Sequence, residues 1–162
     1  MNSEKFISQL SQGELGERVI ASFFLTQGKF NKVEFRGSGT EYDLKCYSGE
    51  NQTTFEIKTD RYEFFKKKET GNMFIEISCN QKPSGINTSK ADFYIYYFPD
   101  IEEFYLMPLP ELRLFLVNQQ IHIEQLCGDG NKFEGYLLKR EICKKHFKVY
   151  ELKKDIDIWK VQ

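Results

Sequence analysis

The chain begins with apolar residues at helical spacing and continues with alternating ones. Four apolar positions fall on one side of a helix running from about residue 3 to 27: Phe6, Leu10, Ile20 and Phe24. Gly28 is a typical residue at which such a helix ends. Ser11 and Glu14 have the spacing of a capping box, so this segment is expected to form either one helix or two.

Short runs after residue 30 alternate between apolar and polar residues, and this alternation predicts strands. The runs cover residues 32–36, 41–46, 53–58, 73–78 and 104–107. Residues 93–98 are all apolar or aromatic, as in a strand that is covered on both faces and lies inside a sheet. A helix followed by strands and then by mixed elements indicates an α/β or α+β domain.

The remaining segments are polar or less regular. Residues 60–70 are charged and predicted to be partly helical, and residues 80–92 are rich in turn formers, with a helical turn near 88–91. Pro110 is expected to open a helix that ends near residue 118. Beyond that residue the pattern predicts no definite element. With 162 residues, the whole chain (1–162) has room for a single domain.

Residues 41–58 form a predicted β-hairpin whose two faces differ in polarity. If the turn is centred between Gly49 and Glu50, opposed residues have numbers that sum to 99, so Asp43 faces Glu56. Alternation then places six polar residues on one face: Glu41, Asp43, Lys45, Thr54, Glu56 and Lys58. The other face carries five mainly apolar residues: Tyr42, Leu44, Cys46, Phe55 and Ile57.

Directly opposed carboxylates repel each other across a hairpin, because their Cβ atoms are only about 5 Å apart. A divalent cation such as Mg²⁺ offsets this repulsion, since it is usually held by one or two carboxylates together with water and phosphate. Lys58 would bring an ammonium group to the same face. Two structural alternatives remain: a charged face that simply meets water, and a shifted register that separates Asp43 from Glu56.

Glu17 lies within the apolar side of the first predicted helix. A carboxylate is costly in such a place unless it is paired or hydrogen-bonded. Glu14 lies nearer the edge of that side and has a role available in the capping box. Glu17 is therefore a candidate fourth member of the acidic site. The alternative is that Glu17 lies at a helix end or extends into solvent.

Asp43, twelve intervening residues and the tripeptide Glu56-Ile57-Lys58 resemble the signature of the PD-(D/E)xK nuclease superfamily. Tyr42 stands where that signature has its proline, a position that varies within the superfamily. Glu17 resembles the acidic residue on the first helix of Holliday-junction-resolvase-like members.

This resemblance covers about residues 11–98 and implies a restriction-endonuclease-like core, with a central mixed β-sheet flanked by helices. Residues 70–76 and 84–92 are similar to stretches of small phage-type members of the superfamily. The segment 100–162 has no match there and would be a C-terminal addition to the nuclease core.

The resemblance further implies a Mg²⁺- or Mn²⁺-dependent endonuclease or nickase that hydrolyses phosphodiester bonds in DNA. Asp43, Glu56 and the backbone carbonyl of Ile57 would ligate the metal. Lys58 would orient the attacking water and offset negative charge, and Glu17 would complete the pocket.

Further contacts to nucleic acid are expected from five residues: Ser84, Lys90, Lys66, Lys67 and Lys68. For Ser84 and Lys90 the plain alternative is a helix cap and a solvated lysine. The lysine cluster can equally be a solvated surface, and so can the basic stretch at 139–148.

The composition narrows the function only in part. A net charge of −1 argues against a protein that coats nucleic acid, although a catalytic face needs only local positive charge. The four cysteines lack a CxxC pair, so reduced thiols are expected rather than disulfides or a zinc site at Cys143 and His146. The sequence has neither a signal peptide nor a run of about 18 apolar residues, so we expect a cytoplasmic protein with no membrane span.

Two other functions fit the sequence. One is a catalytically inactive nuclease-fold module that binds DNA or a protein. The other is a small interaction module that docks an acidic partner through the basic stretch 139–148. RNA is an alternative substrate for the enzyme, and a homodimer is expected if the enzyme cuts junctions symmetrically.

Overall fold

The structure is a computed structural model that describes residues 3–37, 41–60, 71–118, 123–128 and 131–152. These ranges leave out residues 61–70. Nearly all of the predicted helical stretch at 60–70 therefore lies outside the described residues, and so does the whole cluster Lys66, Lys67 and Lys68. The described helices and strands, in chain order, are α1 (Ser3–Thr26), β1 (Lys32–Phe35), β2 (Leu44–Ser48), β3 (Asn51–Thr59), β4 (Asn72–Cys79), β5 (Lys82–Pro83), β6 (Phe93–Phe98), β7 (Glu103–Pro108), α2 (Leu109–Asn118), β8 (Ile123–Gly128), β9 (Asn131–Lys139), α3 (Arg140–His146) and β10 (Lys148–Glu151).

The first segment forms one continuous helix, so the alternative of two helices is wrong. Ser11 lies inside α1 rather than at a cap. The helix ends before Gly28, as predicted. Gly28 has a φ of +67°, and its N–H donates to the carbonyl of Leu25 at 3.1 Å. This left-handed conformation is available to glycine at little cost, which makes it a common helix terminator.

Six strands form a central sheet in the order β1-β2-β3-β6-β7-β10. The pair β3 and β6 is parallel, and the other neighbouring pairs are antiparallel. α1 packs on one face of this sheet, while α2 and α3 contribute to the apolar cluster on the other. The predicted α/β (α+β) class with a mixed central sheet and flanking helices is therefore confirmed.

β6 lies inside the central sheet and is covered on both faces, as predicted. Ile95 and Tyr97 belong to the apolar cluster under α1. Tyr94, Tyr96 and Phe98 belong to the cluster on the opposite face. Successive side chains of a strand point to opposite faces, so an unbroken apolar run is what a doubly covered strand requires.

The β2–β3 hairpin has the predicted register from Leu44 onward, but Asp43 and Glu56, which were predicted to be opposed, are not a pair of this ladder. Leu44 pairs with Phe55 and Lys45 with Thr54, so the numbers of paired residues sum to 99. The predicted apolar face is also confirmed from Leu44 onward, because Leu44 and Phe55 are both buried beneath α1. A shifted register is thereby excluded.

The predicted alternation fails at Tyr42. Its ring packs against the cluster on the face away from α1 and lies 5.4 Å from Nζ of Lys45, whereas Leu44 is buried under α1. The physical reason is that β2 begins only at Leu44. Just before it, the N–H of Asp43 donates to the carbonyl of Phe55 and departs from the paired ladder. Strict alternation holds only within regular strand backbone.

A second, four-stranded antiparallel sheet in the order β5-β4-β9-β8 was not predicted. β4 forms where a strand was expected, but its partner β9 comes from the segment with no assigned element. β7 and β10, also beyond residue 100, extend the central sheet. Residues after 100 are thus part of both sheets.

Of two smaller elements predicted from the sequence, the helix that ends near residue 118 is confirmed and the position of the helical turn is wrong. α2 begins at Leu109 and ends at Asn118, as predicted, and buries Leu112. The helical turn expected at 88–91 occurs instead at Gly85–Asn87. Thr88 ends that turn, because both its N–H and its hydroxyl donate to the carbonyl of Gly85, each at 3.2 Å.

No helix in the described ranges is both long enough and apolar enough to cross a membrane. Cys46, Cys79 and Cys143 are free thiols. The ring of His146, the other residue of the zinc alternative, lies against the ring of Phe115 with 4.8 Å between centroids.

Candidate active site

The candidate site lies at a notch in the central sheet beside β3. β2 pairs with β3 only as far as the Leu44–Phe55 pair, whereas β6 accompanies β3 to Thr59. Within the described part of the chain, residues 56–59 therefore have no strand on the β2 side. The carboxylate of Asp43 takes the place that the next residue of such a strand would occupy.

Asp43 is fixed at this notch by three hydrogen bonds. Its N–H donates to the carbonyl of Phe55 at 2.9 Å, and its carbonyl accepts the N–H of Arg36 at 2.8 Å. Its Oδ2 accepts the N–H of Ile57 at 2.7 Å. The side chain is thus oriented by the backbone of the strand that carries Glu56 and Lys58.

Glu17 reaches the notch because α1 approaches β3 closely at Gly16. A Cβ added to Gly16 would lie 2.0 Å from Oγ1 of Thr59. The next residue on the helix, Glu17, is therefore brought beside the sheet in the middle of α1. The alternative that Glu17 lies at a helix end is wrong, because α1 extends well past it on both sides.

The four residues predicted from the sequence line one cavity of about 420 Å³: Glu17, Asp43, Glu56 and Lys58. We call this space the main cavity. Arg18 and Arg36 line it as well. An adjoining cavity of about 180 Å³, the small cavity, shares Glu56 and Lys58 and is also lined by Glu76 and Tyr94.

Burial and mutual repulsion act together on the carboxyl groups of the main cavity. Burial raises the pKa of Glu17 from 4.5 to about 8, and the charge of Asp43 is the next largest cause. Burial likewise raises the pKa of Glu56 from 4.5 to about 7, again followed by the charge of Asp43. Carboxyl groups this close ionise together only when positive charge is added.

The pKa of Asp43 is also raised by burial, but two neighbours oppose the shift. The N–H of Ile57 hydrogen-bonds to the carboxylate, and the charge of Lys58 lies nearby. Asp43 is therefore the carboxylate of the site whose ionised form has the best local support. Glu56 receives weaker support from Ser89 and Lys58.

The donor groups suit a divalent cation held in the manner usual for Mg²⁺. No group of three His, Cys, Asp or Glu side chains forms a ready-made metal cage in the ranges that the structure covers. Mg²⁺ generally needs only one or two carboxylates and completes its shell with water and phosphate. Asp43 and Glu56 supply two. The N–H and C=O of one strand residue point to the same edge, so the Ile57 carbonyl also borders the notch.

Two of the other residues expected to contact nucleic acid, Ser84 and Lys90, have partners within the protein. The hydroxyl of Ser84 donates to Oε1 of Glu76 at 2.6 Å. Lys90 forms an ion pair with Glu41. Neither residue is among those that line the main cavity.

Sequence reasoning missed Ser89, which is buried beside Glu56. Its hydroxyl lies within reach of two acceptors, because it donates to the Glu41 carbonyl at 3.2 Å and its hydrogen bonding lowers the pKa of Glu56. The resemblance at 84–92 pointed to this segment but not to this residue. The resemblance at 70–76 likewise included Glu76 without indicating a role for it, and its approach to Lys58 depends on the second sheet.

Two arginines of the main cavity were also missed. The guanidinium of Arg18 lies 5.2 Å from the ring centre of Phe35, and that of Arg36 lies 5.4 Å from the ring centre of Tyr42. Arg18 follows Glu17 directly, and Arg36 ends a predicted strand. The position of Arg18 next to Glu17 was a signal in the sequence, whereas Arg36 had none, because it is seven residues from Asp43.

The fold resembles that of a solved endonuclease structure. It is similar to the solved structure of I-Ssp6803I, a bacterial homing endonuclease, with a TM-score of 0.51. The two chains are 18% identical, and the match covers 85% of this chain and 79% of the endonuclease. No protein-family model and no curated protein matches the sequence.

Proposed function

We propose that this protein is a Mg²⁺- or Mn²⁺-dependent DNA endonuclease or nickase with a PD-(D/E)xK-type active site, acting in the cytoplasm. The observation that carries the proposal is the main cavity, in which Glu17, Asp43, Glu56 and Lys58 meet at the notch beside β3. The nuclease-like fold supports it independently.

Asp43, Glu56 and the Ile57 carbonyl would hold the cation. When bound, the cation would lower the pKa of its water and stabilise negative charge that builds up on the phosphate. Because Asp43 is already oriented by the N–H of Ile57 at 2.7 Å, little ordering of this ligand would be needed on binding.

Lys58 would orient the attacking water and offset negative charge in the transition state. Its side chain is 45% exposed, so it can reach a phosphate without being withdrawn from the core. Glu17 would complete the pocket, either as a direct ligand of the cation or through a water molecule.

Arg18 and Arg36 would bind DNA phosphates on either side of the scissile bond. Both line the main cavity, and each guanidinium lies over an aromatic ring. Such stacking restricts a long side chain, so less entropy is lost when it binds a phosphate. The cluster Lys66, Lys67 and Lys68 remains a predicted further contact with DNA.

A single chain would nick DNA, whereas symmetric cleavage of a junction would need a two-fold homodimer.

The direct test is cleavage of supercoiled and branched DNA by the full chain with Mg²⁺, Mn²⁺ or EDTA. We expect nicked or linear product with either metal and none with EDTA. Lys58→Ala should abolish cleavage, whereas Lys82→Ala, which changes an exposed lysine on β5, should not. Cleavage that survives EDTA, or that persists in Lys58→Ala, would refute the mechanism. RNA of the same sequence tests the alternative substrate.

The runner-up function is binding to DNA or to a protein without cleavage. The raised pKa values of Glu17 and Glu56 favour it, because protonated carboxyl groups can share the main cavity without a cation. It predicts no divalent-ion binding by calorimetry, together with DNA affinity that is intact in Asp43→Ala. The endonuclease proposal predicts that the protein does bind a divalent ion, because Asp43 is a proposed ligand.

A further inference from the structure

The ammonium group of Lys58 lies between carboxylates from two different parts of the molecule. Its charge lowers the pKa of both Asp43 and Glu56, so it is close to the proposed metal ligands. Its Nζ also lies 3.8 Å from Oε2 of Glu76, a residue of β4 in the second sheet. Lys58 therefore has a partner outside the group of residues that the proposed function uses.

Glu76 is itself held in place by the turn that follows β5. The hydroxyl of Ser84 donates to Oε1 of Glu76 at 2.6 Å, and the other oxygen, Oε2, faces Lys58. The N–H of Ser84 and the side-chain amide of Asn87 both donate to the carbonyl of Ile77, each at 3.0 Å. One turn thus binds the side chain of Glu76 and the backbone of the next residue.

Gly85 lets this turn approach β4 closely. A Cβ at Gly85 would lie 2.3 Å from the backbone carbonyl oxygen of Glu76, and the residue has a φ of +53°. Both facts require glycine at this position. The position of Ser84 relative to Glu76 is therefore set by backbone packing and not by the side chains alone.

β4 is irregular at the same place. Its pairing with β9 shifts between Glu76 and Ser78, which is a β-bulge, and Glu76 lies opposite Gly135. A Cβ at Gly135 would come within 2.3 Å of the Ile75 carbonyl oxygen. Bulges turn a side chain away from its regular direction and are common beside active sites.

The space around the ion pair is confined. Glu56, Lys58 and Glu76 line the small cavity together with the buried Tyr94. The side chain of Glu76 is 19% exposed and that of Lys58 is 45% exposed. A partly exposed ion pair adds little to stability, so the serine, the glycines and the bulge are better explained by the need to position Lys58.

We propose that Glu76, held by Ser84, is a positioning residue for Lys58. The inference rests on the proposed function. It assigns Glu76 no contact with the substrate. Its carboxylate fixes the ammonium group at the boundary of the two cavities, so that Lys58 is already placed when DNA and the cation bind.

The test measures kcat, KM and DNA affinity for Glu76→Gln and Ser84→Ala in the full chain. We expect kcat to fall by about tenfold to a hundredfold in Glu76→Gln, with KM and DNA affinity within about twofold of wild type. Ser84→Ala should show a smaller fall in kcat, and Ser84→Thr, which retains the hydroxyl, should restore most of it.

A matched control exists in the same sheet. The hydroxyl of Ser78 donates to Oε2 of Glu134 at 3.0 Å, and neither residue lines the small cavity. Glu134→Gln should leave kcat unchanged. Thermal melting of each variant identifies any that fail to fold. If Glu76→Gln fails to fold, Ser84→Ala provides the milder test.

Two results would overturn the inference: wild-type kcat in Glu76→Gln, or equal losses of kcat and DNA affinity in that variant. If the wild type cleaves DNA and Lys58→Ala does not, either of these removes the role of Glu76 and leaves the proposed function intact. If the wild type with Mg²⁺ or Mn²⁺ cleaves no DNA, both proposals fail.

Discussion

Glu56 and Lys58 border two cavities that differ in how their other carboxylates are partnered. In the main cavity, Glu17 and Asp43 join Glu56, so like charges crowd together and their pKa values are raised. In the small cavity, Glu76 accepts a hydrogen bond from Ser84 and lies 3.8 Å from the ammonium of Lys58. The first arrangement is unfavourable without added positive charge. In the second, Glu76 has partners within the protein, although its charge adds to the rise in the pKa of Glu56.

The difference indicates where a ligand would act. A protein gains nothing in stability from crowded carboxylates, and sites of this kind commonly trade stability for function. The small cavity supports the main cavity, because Lys58 lines both. Substitution of the carboxylates should remove the crowding, and a bound cation should relieve it.

The largest effect is expected from the residues that create the crowding. Asp43→Asn or Glu56→Gln should lower the rate of metal-dependent cleavage by about 10²- to 10³-fold or more, since each removes a proposed ligand from the notch. Rates are measured on supercoiled DNA with Mg²⁺, and Glu134→Gln is the control carboxylate. Activity within tenfold of wild type in either variant would contradict the account.

Metal binding should relieve the crowding and therefore stabilise the folded protein. At a Mg²⁺ concentration about 100 times its Kd, linkage predicts about 2.7 kcal/mol, which for a chain of this size corresponds to a rise in Tm of roughly 5–10 °C. Calorimetric melting with Mg²⁺ and with EDTA measures the shift. Asp43→Asn should abolish it, and a shift of equal size in that variant would place the cation elsewhere.

Glu17 should make the metal-free protein less stable as the pH rises. Its pKa of about 8 in the folded state lies above its ordinary value of 4.5, so its protonated form favours folding. This stabilisation is full below pH 4.5 and is lost as the pH rises through 8. In EDTA at pH 9, Glu17→Gln should exceed wild type in stability by about 1–2 kcal/mol after discounting for partial exposure, with little difference at pH 5. Urea unfolding at both pH values is the measurement, and equal stability at both would show that Glu17 is not confined.

The smallest effect concerns the cations beside the crowded carboxylates. Arg18→Gln and Arg36→Gln should each reduce the slope of log affinity against log salt by about 1, because each removes a phosphate contact. Binding is measured with Ca²⁺ in place of Mg²⁺ so that DNA is not cut. Lys32→Gln is the control, since Lys32 also lies over a ring, that of Tyr47, but does not line the main cavity. Unchanged slopes would place the DNA on another surface.

The sequence was sufficient to predict the part of the candidate site that is built from α1 and the β2–β3 hairpin. The hairpin register follows from a single turn, and the pattern of α1 placed Glu17 on its apolar side, so three acidic residues could be predicted to meet. The error at Tyr42 arose because regular alternation was extended past the start of β2, where the hydrogen bonding of Asp43 departs from the ladder.

The second sheet and the small cavity could not be predicted in the same way. Glu76 meets Lys58 because β4 pairs with β9, about 60 residues later, and no local pattern specifies such a pairing. The bulge after Glu76 and the close approach of Gly85 are likewise properties of packed backbone. Ser84 was therefore expected to contact phosphate, although its hydroxyl donates to Glu76.

The central claim is that a divalent cation binds between Asp43 and Glu56, and a crystal structure with Mn²⁺ tests it most directly. Anomalous scattering identifies the metal without reference to activity. The account predicts a peak about 2.1 Å from a carboxylate oxygen of each residue and from the Ile57 carbonyl. A peak at another place, or carboxylates left without a cation at saturating Mn²⁺, would contradict it.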